Sequence, residues 1–189
     1  MKAVLISIQP KWVEKIANGE KTIELRKTAP KEVPFKCYIY CTNAKTIGDI
    51  ILCKSEESTK LFGYNAVKGI NKGFAKKEDI DLKGKVIGEF VCDTAEWMSM
   101  RDCDKVCMTL KEAVDYGKGK PLYGLHISDL KIYDKPKELG EFRVPCPTSC
   151  ENCKNPLYYE CWCEEKGIKV VTRAPQSWQY VEELKNERI

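Results

Sequence analysis

The chain has 189 residues, of which 43% are hydrophobic and 32% are charged, and its net formal charge is +4. This balance is typical of a globular protein with one domain, or with one domain and an appendage. No apolar run approaches the roughly 20 residues that a membrane-spanning helix requires. The mild positive charge argues against a protein that holds nucleic acid through phosphate contacts alone.

The first predicted elements are a strand over residues 2–8 and a helix that begins at Pro10. The alternation of residues 2–8, followed by Gln9-Pro10, favours a strand over a signal peptide, so we expect a cytoplasmic protein. Proline suits the first helical position, apolar residues recur at helical spacing over 12–17, and Gly19 favours the end of the helix. Trp12 is predicted to lie in the core.

The next predicted strand carries polar side chains on one face. From residue 21 the period changes to two, so that Ile23 and Leu25 point one way and Thr22, Glu24 and Arg26 the other. If the polar face lines a cleft, Arg26 can form paired hydrogen bonds with a phosphate, a carboxylate or a base edge. The alternative is an exposed strand face, on which a Glu24–Arg26 pair contributes little to stability.

Lys21 lies at the start of this strand, directly after the predicted helix. Partial burial beside another cation would lower the pKa of its ammonium group. A lysine with a lowered pKa can act as a base or as a nucleophile. We therefore treat Lys21 as a candidate reacting group.

The middle of the chain is predicted to contain three further strands, at residues 35–42, 85–92 and 123–133, and one short helix. Thr109 and Glu112 fit a capping box that opens this helix, and Gly117 lies near its end. Residues 54–85 are predicted to form a basic, glycine-containing loop, which is either a solvated surface or a segment that wraps a phosphate backbone. Strands interrupted by short helices, with antiparallel-looking spacing, predict an α+β barrel.

The C-terminal region is predicted to form a helix that begins at Pro175. Trp178, Val181 and Leu184 would then form its buried stripe. His126, the only histidine, lies in a predicted strand between apolar residues, which favours a structural role over a catalytic one. Phosphate-binding glycine loops of the P-loop and dinucleotide-binding types do not occur in the sequence.

Five of the eleven cysteines fall within 18 residues, in the spacing Cys-x3-Cys-x2-Cys-x7-Cys-x-Cys. Four thiolates at such spacings can enclose a tetrahedral zinc ion, and with no open position the zinc would be structural. The predicted ligands are Cys150, Cys153, Cys161 and Cys163, with Cys146 as the alternative fourth. The other interpretation is that these are reduced surface thiols.

Residues 19–26, Gly-Glu-Lys-Thr-Ile-Glu-Leu-Arg, match the pattern Gly-x-Lys-x-x-Glu-x-Arg and resemble the signature of the ASCH domain, a member of the PUA-like superfamily. Residues 84–90 and 123–130 also resemble bacterial and phage ASCH proteins. The resemblance covers residues 1–135 and implies a PUA-like, mostly antiparallel β-barrel with flanking short helices. Residues 136–189 would then form a cysteine-rich zinc loop and a C-terminal helix packed on the barrel.

The resemblance also implies that the chain binds RNA, or a modified nucleoside or nucleotide, in a cleft. The ligand-binding residues would be Lys21, Thr22, Glu24, Arg26 and Glu89, the last from the second similar stretch. A third interpretation, drawn from the phage-like character of the resemblance, is a protein that sequesters a signalling nucleotide in the same cleft. No membrane partner is expected.

An amidohydrolase is the alternative function that the resemblance implies. A small bacterial group similar in this motif hydrolyses N4-acylated cytidines with a lysine, a threonine and a glutamate. Lys21 matches the lysine and Arg26 matches a family arginine, whereas Glu24 stands in place of the threonine. Lys21 and Glu24 are thus the candidate catalytic residues, and Glu112 and Asp115 are candidates for the later acidic partner.

Overall fold

The computed structural model describes residues 3–43, 50–54, 59–63, 80–145 and 170–184. These ranges contain eleven strands, three short helices and two 3-10 turns. In chain order the strands and helices are β1 (Ala3–Ile8), α1 (Pro10–Ala17), β2 (Ile23–Arg26), β3 (Phe35–Cys41), β4 (Ile50–Lys54), β5 (Thr59–Gly63), β6 (Ile80–Asp81), β7 (Val86–Cys92), β8 (Ala95–Trp97), α2 (Cys103–Val106), α3 (Leu110–Gly117), β9 (Tyr123–His126), β10 (Ser128–Lys137) and β11 (Trp178–Val181).

The strands form one five-stranded and two three-stranded sheets. The large sheet has the order β10-β7-β3-β1-β11, and the smaller sheets have the orders β2-β9-β8 and β5-β4-β6. Only the β1–β3 pairing is parallel among these strands. The α+β class and the mostly antiparallel pairing are therefore confirmed, while the pairing within the described ranges gives three sheets and not one closed ring.

Both faces of the large sheet are covered by apolar side chains. In β1, Val4, Ile6 and Ile8 belong to one buried cluster, and Ala3 and Leu5 belong to a second cluster on the other face. This alternation follows from the period of two in an extended chain. A strand buried on both faces holds its register firmly, because a slip by one residue would exchange the two clusters.

The predicted first helix is confirmed as α1. Pro10 occupies its first turn, and Val13 and Ile16 are buried on its inner face. Burial of each such aliphatic side chain typically contributes about 1.5–3 kcal/mol. Gly19, with a φ of 76°, follows the helix and reverses the chain toward β2. The turn after α1 thus directs residue 21 back under the helix.

The predicted capping box at the start of α3 is also confirmed. The Glu112 backbone N–H donates to the Thr109 hydroxyl at 3.2 Å, and the Thr109 N–H donates to the Glu112 carboxylate at 2.8 Å. The capping box therefore gives hydrogen-bond acceptors to two backbone N–H groups at the start of the helix that would otherwise have none. The helix ends at Gly117, and Lys118 follows in the left-handed conformation, with a φ of 54°.

The predicted C-terminal helix is wrong. Residues Trp178–Val181 form β11, which pairs antiparallel with β1 from Ala3↔Val181 to Ile6↔Trp178. The three-residue spacing of Trp178 and Val181 resembled a helical stripe, but tryptophan, tyrosine and valine all favour strands. Pairing with β11 also satisfies the backbone groups along the edge of β1, which a helix would leave unpaired.

The predicted long strand at residues 123–133 is two strands in different sheets. The Ile127 N–H, between β9 and β10, donates to the Thr22 carbonyl at 2.9 Å, and the chain then joins β7 in the large sheet. The predicted domain boundary at 135/136 falls inside β10, and β11 returns to the same sheet. The division into 1–135 and 136–189 stays a prediction.

The predicted loop at residues 54–85 contains strand structure. Strands β5 and β6 fall within it, and both pair antiparallel with β4. The rest of this segment at 55–58 and 64–79 lies outside the described residues. In the described part of the chain, no helix combines the length and the apolar character needed to cross a membrane.

Candidate functional site

A cleft of about 700 Å³ opens beside the motif strand. Helices α1 and α3 each contribute a wall, and β2 and the ends of β1 and β3 contribute to the lining. Residues 174–176, just before β11, complete it. Elements from distant parts of the sequence thus meet at one concave site.

The floor of this cleft contains Lys21, Glu24 and Arg26, which we call the cleft-floor cluster. Their side chains are buried, with only 2%, 3% and 7% of each residue exposed. On the other face of β2, Ile23 and Leu25 pack against apolar side chains of α2 and α3. The alternation of β2 therefore places the charged side chains in the cleft and excludes the alternative of a solvent-exposed Glu24–Arg26 pair.

The charges of the cleft-floor cluster are linked through Glu24. The Arg26 Nη1 lies 2.6 Å from Glu24 Oε1, and the Lys21 Nζ lies 3.5 Å from Glu24 Oε2. Each of the two cations also donates a hydrogen bond to a backbone carbonyl. Lys21 Nζ donates to the Val106 carbonyl at 2.7 Å, and Arg26 Nη2 donates to the Ser7 carbonyl at 2.6 Å. These contacts fix the orientation of all three side chains.

Three residues that line the cleft each carry one buried polar atom without a hydrogen-bond partner. These atoms are Glu24 Oε2, Arg26 Nε and Thr42 Oγ1, and they are all the buried side-chain nitrogens and oxygens of this kind in the described residues. The 3.5 Å contact of Lys21 with Glu24 Oε2 is an ion pair, but it is too long for a strong charged hydrogen bond. Each buried unpaired group typically costs about 1–3 kcal/mol, and the residues that carry these three atoms all line the cleft.

Thr42 is a site residue that the sequence reasoning missed. It directly follows β3, and its N–H donates to the Ile8 carbonyl at 2.9 Å. Its only sequence signal was a position at the end of a strongly predicted strand. The parallel pairing of β1 with β3 brings it to the cleft that β2 also borders.

The pKa of Lys21 is lowered from its ordinary value of 10.5. Burial is the largest cause because it disfavours the charged ammonium, and the Arg26 charge acts in the same direction. The Glu24 carboxylate opposes this shift. The predicted direction is confirmed, although removal from water matters more than the neighbouring cation.

Trp12 lies on the α1 wall and is partly buried, so its prediction as a core residue is confirmed only in part. It packs against the core on one side, while the Lys11 and Lys21 Nζ atoms lie 4.3 and 5.1 Å from its ring centroid. Such cation–π contacts attract lysine to the ring face. The α1 wall thus presents an aromatic surface beside positive charge.

The α3 wall carries both predicted acidic candidates, Glu112 and Asp115, together with Tyr116. The carboxyl of Glu112 accepts hydrogen bonds from the Thr109 backbone N–H and hydroxyl, which lower its pKa. A carboxylate held in this way remains ionised and accepts hydrogen bonds. The helix therefore places two acidic groups at the cleft, one turn apart.

Two predicted ligand-binding residues do not line the cleft. Thr22 is exposed, and Glu89 lies elsewhere on the large sheet. The Tyr133 hydroxyl donates to Glu89 Oε2 at 2.5 Å, and Lys36 Nζ lies 3.7 Å from Glu89 and 2.8 Å from Glu183. We call Lys36, Glu89, Tyr133 and Glu183 the outer cluster.

His126 does not line the cleft either. Its Nε2 lies 3.6 Å from Glu96 Oε1, and its side chain is 34% exposed. The five cysteines of the predicted zinc loop all lie outside the described residues, and they are Cys146, Cys150, Cys153, Cys161 and Cys163. Over the described ranges, no group of three or more His, Cys, Asp or Glu side chains is placed to hold a metal ion. The zinc site stays a prediction.

Comparison with known proteins supports the fold. No family model matches the sequence, and no curated protein matches it. Among solved structures, the ASCH protein of Zymomonas mobilis is similar with a TM-score of 0.54 and 16% identity, over 98% of this chain and 90% of that chain. A single-residue variant of the same protein gives a TM-score of 0.53 and 14% identity, over 97% and 92% of the two chains. At these identities the similarity is one of architecture, and it shows that this chain has the fold of the ASCH domain.

Proposed function

We propose that the chain binds an RNA base or a modified nucleoside in the cleft. The observation that carries this proposal is the group of three buried polar atoms without partners, Glu24 Oε2, Arg26 Nε and Thr42 Oγ1. Together they offer an acceptor, a donor and a hydroxyl that can do either. A nucleobase edge presents donors and acceptors side by side, so one ligand can satisfy several of these atoms at once.

The size and lining of the cleft agree with a ligand of this class. A volume of about 700 Å³ falls within the roughly 300–1,000 Å³ that is typical of small-molecule sites. Trp12 on the α1 wall and Tyr116 on the α3 wall supply aromatic surface, and single nucleobases are commonly recognised by stacking combined with hydrogen bonds. A single base or nucleoside therefore suits this space better than a duplex.

Titration with nucleosides and with single-stranded RNA tests this proposal. Isothermal titration of wild type should give saturable binding to at least one probe from a panel of cytidine, N4-acetylcytidine, adenosine and RNA hexamers. A salt series then separates the ligands, because affinity for RNA falls steeply with salt whereas affinity for an uncharged nucleoside hardly changes. Absence of binding to every probe at millimolar concentration would contradict the proposal.

An amidohydrolase acting on N4-acylated cytidine is the second candidate, and the buried Lys21 favours it. Its lowered pKa increases the fraction of neutral amine at a given pH, and only the neutral amine acts as a base or nucleophile. The Glu24 carboxylate, 3.5 Å from the Lys21 Nζ, can orient the amine. Water would cleave the amide to give cytidine and a carboxylic acid.

Incubation of N4-acetylcytidine with wild type and with Lys21→Met, followed by chromatography, tests this second candidate. Release of cytidine by wild type alone would support it, and no release at high protein concentration would exclude this substrate. Tight binding of a nucleotide without turnover would instead favour the third candidate, the sequestration of a signalling nucleotide.

We also propose a structural zinc ion in the cysteine-rich segment at 146–163. The support is the spacing of the five cysteines, because Cys150 and Cys153 form the tight Cys-x2-Cys turn of many zinc sites. Metal analysis of protein purified under reducing conditions without chelator should find close to one zinc per chain. Cys150→Ser should lower that content more than Cys103→Ser, because Cys103 lies in α2, outside the segment.

A further inference from the structure

A second aromatic surface lies at the edge of the smaller sheet that contains β2. Trp97, on the edge strand β8, is 57% exposed. Its ring is stacked on Tyr123 of the neighbouring strand, with centroids 4.1 Å apart and planes 26° apart. Tyr123 thus supports one face of the indole. The stacked contact fixes the orientation of the indole, and more than half of the residue remains accessible to a partner.

The strand register connects this aromatic pair to the cleft. Arg26 of β2 is the direct partner of Tyr123 in β9, and Tyr123 is the direct partner of Trp97 in β8. Directly opposite residues in antiparallel strands project from the same face. Arg26, Tyr123 and Trp97 therefore form one row across three strands. Two strand spacings separate the ends of this row, which is about 10 Å between backbones.

The residues around the pair favour a negatively charged ligand with flat rings over a protein partner. Lys118 and Lys120 are exposed in the turn that leads into β9. Glu96, the acidic neighbour of Trp97, belongs to the opposite face, because its partner in β9 is Gly124 and its carboxylate lies near His126. Proteins bind single-stranded nucleic acid with aromatic rings on which bases stack and with cations for the phosphates, and this part of the chain supplies both kinds of side chain.

We propose that Trp97, stacked on Tyr123, is a base-stacking platform for the nucleotide next to the one held in the cleft. This inference rests on the proposed function and narrows it. The preferred ligand is single-stranded RNA of at least two nucleotides, and not a free nucleoside. Arg26 marks the position of the first nucleotide, and the row of paired residues leads from it to the second. Stacking on Trp97 accepts any base, so the platform adds affinity without adding sequence preference.

Fluorescence anisotropy with a 5′-labelled single-stranded RNA hexamer tests the platform. Trp97→Ala should weaken hexamer binding about tenfold, the order of effect expected from the loss of one base–aromatic stack. Trp97→Phe, which keeps a ring, should recover part of the loss. Binding of cytidine monophosphate, measured by isothermal titration, should be the same in wild type and Trp97→Ala, because one nucleotide occupies the cleft alone.

Tyr180→Ala is the matched control, since Tyr180 is also an exposed aromatic residue on an edge strand, in edge-to-face contact with Trp178. It should leave hexamer affinity unchanged. If Trp97→Ala binds the hexamer like wild type while Arg26→Ala binds it weakly, the platform is wrong and the cleft proposal stands. If neither variant differs from wild type, both are wrong. A change of oligomeric state in Trp97→Ala by sedimentation would instead assign the surface to self-association and overturn the proposal.

Discussion

The cleft-floor cluster and the outer cluster both combine lysine with glutamate, yet they differ in how their polar atoms are satisfied. In the outer cluster, Glu89 accepts from Tyr133 and lies near Lys36, which in turn contacts Glu183. In the cleft-floor cluster, Glu24 and Arg26 form an ion pair, but each keeps a buried atom without a hydrogen-bond partner. The polar atoms of the first cluster are paired or reach water, whereas the second cluster keeps buried polar atoms without a hydrogen-bond partner, which is what the proposed ligand would satisfy.

Burial explains why this difference matters. The outer cluster is partly open to water, with 22% of the Glu89 side chain exposed, so solvent can satisfy what the protein does not. The cleft-floor side chains are removed from most of that solvent, and an unpaired group there is costly. A polar cluster is therefore informative about function when it is both buried and incompletely paired beside a cavity.

The largest expected effect is on stability, from Glu24→Ala. This change leaves the buried Lys21 and Arg26 cations without their shared counter-ion, and breaking such a buried pair typically costs about 3–5 kcal/mol. Urea unfolding of wild type and variant measures the difference. Glu89→Ala in the outer cluster is the matched change and should cost much less. Equal losses in the two variants would remove the distinction between the clusters.

Arg26→Ala should next reduce ligand affinity. The loss of a charged hydrogen bond in the cleft should cost at least ~1.5 kcal/mol of binding free energy, measured by titration with whichever nucleoside or RNA probe wild type binds. Lys36→Ala removes a cation from the outer cluster and should leave the affinity unchanged. An unaltered affinity in Arg26→Ala, or an equal loss in Lys36→Ala, would place the binding face elsewhere.

Tyr133→Phe should have a smaller effect, confined to stability. It removes one hydroxyl that donates to the Glu89 carboxylate, and a hydrogen bond to a charged group contributes about 1.5–3 kcal/mol, with the lower end expected here because water reaches the outer cluster. Because the outer cluster has no part in the proposed binding, ligand affinity should stay at the wild-type value. Chemical unfolding gives the stability, and titration gives the affinity. Weaker binding by this variant would show that the two clusters are coupled.

The smallest expected effect is a difference in pH dependence between two lysines. Burial lowers the pKa of Lys21 in the folded state. Between this lowered pKa and 10.5, the unfolded chain holds the Lys21 proton more fully than the folded chain does, so the free energy of unfolding increases as pH rises through this window. The pKa of Lys36 is raised above 10.5, chiefly by its hydrogen bond with Glu183, so its contribution is present below 10.5 and is lost as pH rises through the folded pKa.

Unfolding free energies of wild type, Lys21→Met and Lys36→Met across this pH range measure the two contributions. Relative to wild type, Lys21→Met should lack the rise below 10.5, and Lys36→Met should lack the fall above it. Parallel pH profiles for all three proteins would contradict the opposite environments of the two lysines.

Local features of the fold were predictable because they depend on neighbours in sequence. Pro10 and Gly19 bound α1, and the Thr109–Glu112 capping box opens α3, as expected. The predicted helix at the C-terminus failed because Trp178 and Val181 fit a helix stripe and a strand equally well. Only the open edge of β1 decides between these structures, and that edge is formed by residues far away in the chain.

The candidate site was predictable to the same extent. The period of β2 identified Glu24 and Arg26, since alternation places them on one face whatever that face contacts. Thr42 was missed and Glu89 was misplaced relative to the cleft, because each depends on which strands become neighbours. The alternation of a strand predicts which side chains share a face, but it does not predict which other strand will be the neighbour in the sheet.

By itself, the sequence determined the helix ends, the alternation of β2 and the charged residues that this strand carries, because these features follow from backbone geometry over a few residues. Tertiary structure alone decided that Lys21 is removed from water and that Glu24 and Arg26 each keep an atom without a hydrogen-bond partner. It also decided that Trp97, Tyr123 and Arg26 share one row. The physical reason is that burial, hydrogen-bond satisfaction and strand register are relations between distant segments, and they exist only after those segments have packed together.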